Sequence, residues 1–140
     1  MSSLTQDIVY FISQFDQYNV DPAAYRLAKI GIMDSMACMF AGSEEAVVQI
    51  LEKHFGQRAG NGQTDVAVPF LEQKHLPLEQ AACLWATAAH ALDYDDVAMS
   101  AHPSTVLMPV VMTGAIHLSA SGQAVLNAYI LGYEVWAELF

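Results

Sequence analysis

Residues 103–133, PSTVLMPVVMTGAIHLSASGQAVLNAYILGY, run from Pro103 to Tyr133 without a single Asp, Glu, Lys or Arg. A bilayer span needs roughly 20 consecutive apolar residues, so the stretch as a whole is long enough to raise that reading. Its middle decides against it. Ser119, Ser121, Gly122 and Gln123 divide the stretch into two segments, each short for a span, and Pro109 and His117 fall within the first. The stretch reads as a buried helical hairpin, with Pro103 opening one helix and Ser121 the next.

Outward from this hairpin the helical pattern continues. Pro77 opens an earlier helix, and its Ala81, Ala82, Leu84, Ala88 and Ala89 suit close helix packing. Asp21-Pro22 is an N-cap followed by proline at the first helical position, and the apolar run through Leu27, Ile30, Met33, Met36, Ala37 and Phe40 stops at Gly42. This helix is expected at the centre, its methionines filling core. Ser43 is read as the cap of a helix with Glu44 and Glu45 in its first turn, ending near Gly56. At the start, Leu4 to Phe15 sets Ile8, Phe11, Ile12 and Phe15 on one face, with Thr5 or Ser3 as cap. A polar loop with Gly60-Asn61-Gly62 covers Gly56 to Thr64, and Asp65 to Val68 is the one plausible strand, closed by Pro69. The expected architecture is all-α, a bundle of about six helices with at most one short strand, forming a single domain over residues 1–140.

Composition limits what such a bundle does. Among 140 residues, 54% are hydrophobic and 14% charged, the opposite of a disordered chain. With 15 acidic against 5 basic side chains and a net charge of −10, the chain has no basic stripe for nucleic acid or for an anionic membrane surface. Cys38 and Cys83 form no CxxC spacing, so they read as buried free thiols in a reducing compartment. The first twenty residues carry Asp7 and Asp16 but no Lys or Arg, which is unlike a signal or transit peptide, and a cytoplasmic location is expected.

Chemistry concentrates in one place. His90-Ala-Leu-Asp93-Tyr-Asp95-Asp96, followed by His102-Pro103-Ser104, brings three carboxylates and two imidazoles to the junction of two apolar helices. Proline holds His102 extended and then starts a helix, so the unpaired N–H groups of that first turn point outward and attract a carboxylate or phosphate. The imidazole exchanges protons near neutral pH, with Asp93 orienting it or acting as a base itself. The blander readings are a solvated or capping role for Asp95-Asp96 and a hydrogen-bonded core role for His90. Carboxylates suit magnesium or calcium, but the spacing follows no EF-hand loop and no metal is expected. His54, His75 and His117 have no acidic neighbours in sequence and read as surface or packing residues.

At these residues the chain resembles the MmgE/PrpD family, which includes 2-methylcitrate dehydratase and cis-aconitate decarboxylase. The resemblance extends to Asp34-Ser-Met-Ala-Cys-Met-Phe-Ala41-Gly42, to Ser121-Gly122 and to Gly132-Tyr133-Glu134-Val135, in order along nearly the whole chain. It implies a lyase acting on di- or tricarboxylates without a metal or other cofactor, usually as a dimer. Asp93 and His102 are then the implied catalytic residues, with His90, Asp96 and Ser104 beside them as substrate-binding residues. Family members are several times longer, with a smaller α/β lid and catalytic lysines beyond the position of Phe140. The chain is therefore expected to be a truncated or fragmentary part of such a helical domain, inactive alone. The alternative expectation is a small helical binding or oligomerisation module that associates through an exposed apolar face.

Overall fold

A computed structural model describes residues 3–16, 19–56, 65–72 and 74–139. Six helices are present among them: α1 (Leu4–Ser13), α2 (Pro22–Gly42), α3 (Ala46–Gly56), α4 (Leu78–His90), α5 (Pro103–Leu118) and α6 (Gly122–Glu138). No helix among the described residues is long and apolar enough to cross a membrane. The Gly60-Asn61-Gly62 loop lies outside the described residues.

Most helix starts follow the local signals. Ser3 closes a capping box with Gln6, Asp21 accepts from the Ala23 amide ahead of Pro22, and Ser121 accepts from the Ala124 amide. Ser43 departs from expectation: it terminates α2, donating to the Phe40 carbonyl at 2.8 Å, and α3 begins only at Ala46. Glu44 and Glu45 thus lie in the connecting turn, and the Glu45 carbonyl accepts the first amides of α3.

The strand expected at Asp65 has a partner. β1 (Asp65–Ala67) pairs antiparallel with β2 (His75–Pro77), setting buried Val66 opposite buried Leu76. His75-Leu76-Pro77 carries too little β-branched character to announce a strand, and it is held by pairing with β1, next to which the Val68 amide donates to the Lys74 carbonyl.

α4 sits between α2 and α5 and buries Ala82 together with Ala81, Leu84, Trp85, Ala88 and Ala89, and the last five join Ile32, Met39 and Met108 in one core. The apolar run does not mark the face that α2 turns inward, and of the methionines read as core filling Met39 is buried while Met33 is exposed. Ala28, Ile32, Ser35, Cys38, Met39 and Gly42 are buried, while Leu27, Ile30, Met33 and Phe40 are exposed. Small residues explain the choice. Ala28, Ser35 and Gly42 repeat every seventh residue along one face, and a Cβ on Gly42 would collide with the Ala88 carbonyl of α4. Backbones approach closely along that stripe, and the larger apolar side chains are left on the other side. Both thiols are free as expected, but Cys83 lies on the exposed face of α4.

Candidate active site

The loop between α4 and α5 turns the chain back on itself. Asp93, Met99 and Ser100 adopt left-handed backbone angles (φ 55°, 50° and 56°), and Ala98 and Ala101 exchange a pair of backbone hydrogen bonds. His102, the N-cap of α5, is thereby brought against His90, the last residue of α4. Their rings meet edge-on with centroids 4.5 Å apart.

Between the two imidazoles lies Asp95, its side chain fully buried. His90 Nδ1 is hydrogen-bonded to the carboxylate, at 3.0 Å from Oδ1 and 3.2 Å from Oδ2. His102 Nδ1 is 3.2 Å from Oδ2, within ionic reach but not aligned for a hydrogen bond, and that nitrogen has no hydrogen-bond partner. On its other side, His102 Nε2 lies 3.6 Å from Oδ1 of Asp93, whose side chain is 76% exposed. The His102 ring thus spans from a buried carboxylate to an open one. The exposed edge of His90 lines an open depression of about 480 Å³ with Val47, Ala86, Thr87, Thr105 and Val106.

Asp96 and Ser104 form a separate network. Asp96 Oδ1 accepts from the Ser104 backbone N–H at 3.0 Å and Oδ2 accepts from the Ser104 hydroxyl at 2.7 Å, so Asp96 caps α5 from the preceding loop. The helix N-terminus expected to attract an external anion already holds this internal one. Tyr133 Oη donates to Oδ2 at 3.3 Å, and Ser104 Oγ makes a short hydrogen bond with Tyr129 Oη. Burial, the Asp96 charge and then the neighbouring Tyr129 push the Tyr133 hydroxyl up to about 12. Burial also raises Tyr129, against the lowering effect of its Ser104 bond. Gly31 on α2 makes room for this pair, since a Cβ there would strike Tyr129 Oη.

The sequence placed Asp93, His90 and His102 together, and they are together. Asp95, read with Asp96 as solvated or as a backbone cap, is instead buried against His90, and neither Tyr129 nor Tyr133 was given a role in the site. The two tyrosines had a legible signal, because a four-residue spacing on a helix puts both hydroxyls on one face. His90, Asp93, Asp95 and His102 each offer one donor atom within 4.8 Å of the others, a set that could hold a divalent ion. The site's ionic contacts among the described residues are all His–Asp, while the Lys74 ammonium pairs with Glu52 elsewhere.

A mostly helical domain carrying a histidine–aspartate cluster at a helix junction is the class that fold and site define. The MmgE/PrpD N-terminal domain profile matches residues 6–140, and the chain belongs to that family. No curated protein and no solved structure matches it.

Proposed function

We propose that this domain supplies one wall of the active site of a cytoplasmic, dimeric lyase of the 2-methylcitrate dehydratase kind, acting on a di- or tricarboxylate. Asp93 and His102 exchange protons with the substrate, and His90, Asp96 and Ser104 shape its surroundings. One observation carries this reading: the His102 ring has one nitrogen against a buried carboxylate and the other beside Asp93 at an exposed rim. Elimination needs an acid and a base at fixed positions, and such a ring meets part of that need. The near absence of basic groups means that a single copy of these 140 residues binds polycarboxylates weakly and turns nothing over.

Thermal unfolding with increasing citrate tests the site. A ligand that binds only the native state stabilises it by RT ln(1 + [L]/Kd), so the midpoint rises with concentration. We expect such a rise, and its loss in Asp93→Asn and His102→Gln variants that keep the wild-type midpoint without citrate. A flat response in the wild type, or an equal one in both variants, would sink the proposal.

The second reading, a helical binding or oligomerisation module without catalysis, draws on Leu27, Ile30 and Met33 standing exposed on α2. Association without any citrate effect would favour it.

A further inference from the structure

We propose that Asp95 is the positioning residue of this site: it draws the Nδ1–H of both His90 and His102 inward and leaves both Nε2 atoms to face outward, that of His102 as the reacting nitrogen. The inference deepens the lyase reading and rests on it for the identity of the group that handles the substrate proton. Three observations carry it. Asp95 is the one carboxylate of the loop with a fully buried side chain, whereas Asp93 is open to solvent and Asp96 is occupied by Ser104 and Tyr133. Both imidazoles present the same nitrogen to it, His90 within hydrogen-bonding geometry and His102 at 3.2 Å. And the buried Nδ1 of His102 has no other partner, so a small ring rotation onto Oδ2 is the way to satisfy it.

The chemistry follows from the imidazole itself. In a neutral ring one nitrogen carries hydrogen and the other a lone pair, and the partner of one determines the state of the other. An ionised carboxylate only accepts, so each Nδ1 facing Asp95 must carry the hydrogen, and each Nε2 then holds the lone pair. When His102 Nε2 takes a proton beside Asp93, the positive charge that forms lies against Asp95. Asp93 is thereby left free to touch substrate, which separates the roles of two aspartates that lie two positions apart.

Long-range proton–nitrogen NMR of the full chain labelled with ¹⁵N-histidine, with 1,10-phenanthroline as chelator and no carboxylate ligand, reads the tautomers directly. His54, His75 and His117 are exposed and serve as internal references for the ordinary solvent tautomer, hydrogen on Nε2. We expect His90 and His102 to differ from them, with hydrogen on Nδ1. In Asp95→Asn the amide has one accepting oxygen and one donating nitrogen, so one of the two rings should switch to the reference tautomer. In Asp95→Leu both should switch, and the three references should not move. A purely structural role for Asp95 would lower the unfolding midpoint without this selective exchange.

If His90 and His102 share the reference tautomer in the wild type, the inference is overturned, and that spectrum decides even if the variants fail to fold. It is equally overturned if folded Asp95→Leu leaves both rings unchanged. Stoichiometric zinc retained through dialysis without chelator, bound through these two rings, would replace it with a metal site. Since no carboxylate is present, failure of citrate binding leaves this result standing, and the two readings fall separately.

Discussion

Asp93 and Asp95 show how little separates two roles. They are identical residues two positions apart, yet the left-handed backbone at Asp93 turns its side chain to solvent while Asp95 points into the protein. No pattern of hydropathy or spacing encodes that turn, so the sequence indicates the cluster but not which carboxylate is buried. Asp96 is a different case, because its capping role is among the ordinary uses of Asp near a helix start. A pH experiment belongs at this scale. Tyr133 ionises near 12 in the native protein against an ordinary 10, so the unfolded chain releases its proton first as pH rises. The stabilising contribution is complete below pH 10 and is lost between 10 and 12, where unfolding takes up hydroxide equivalents. Equilibrium denaturation across that range should show stability falling with pH, and Tyr133→Phe should make the fall shallower. A residual slope from Tyr129, shifted in the same direction, remains. An unchanged slope in Tyr133→Phe would show that burial and the Asp96 charge do not hold the phenol neutral.

At the scale of elements, the starts of α2, α5 and α6 were readable because prolines and caps act within a few residues of where they sit. The inward face of α2 was not, since apolar residues occupy most of its circumference and the choice is made by close approach to α4. The same holds for β2, which exists only because β1 lies beside it. Gly42 tests the explanation for α2. Its absent Cβ is the space taken by the Ala88 carbonyl, with the Ala91 Cβ 3.1 Å away. Gly42→Ala should therefore destabilise the fold, despite alanine's better helix propensity, by roughly 1–3 kcal/mol as overpacking does elsewhere. Urea denaturation measures it, and a stabilised variant would mean that α2 and α4 are not held together at this point.

For the molecule as a whole, the consequence of that inward choice is an outer stripe of Leu27, Ile30 and Met33 on a protein of net charge −10. Leu27 and Ile30 border a groove of about 370 Å³ between α2 and α6, with Asp96 and Tyr133 among its walls. Burying three such side chains in an interface releases several kcal/mol, at about 25 cal/mol per Å² of apolar surface. We expect concentration-dependent association in sedimentation velocity, enhanced by salt that screens the shared negative charge. Ile30→Glu should return the chain to monomer while leaving its helical content intact. A monomer at every concentration in the wild type would leave the stripe without a partner of its own kind.

The left-handed residues of the loop between α4 and α5 bear on the timing of folding. Each non-glycine residue held there costs on the order of 1–2 kcal/mol, and the loop carries Asp93, Met99 and Ser100 in that state. The Ala98–Ala101 hydrogen bonds offset part of this, and the rest is offset only once α4 and α5 have docked and Asp95 has two rings to meet. We therefore expect the site to be the last part of the domain to assemble and the first to open. Ser100→Gly, which relieves one such residue, should slow unfolding in stopped-flow experiments and leave the refolding rate where it was. Faster refolding would instead put this loop in the folding nucleus.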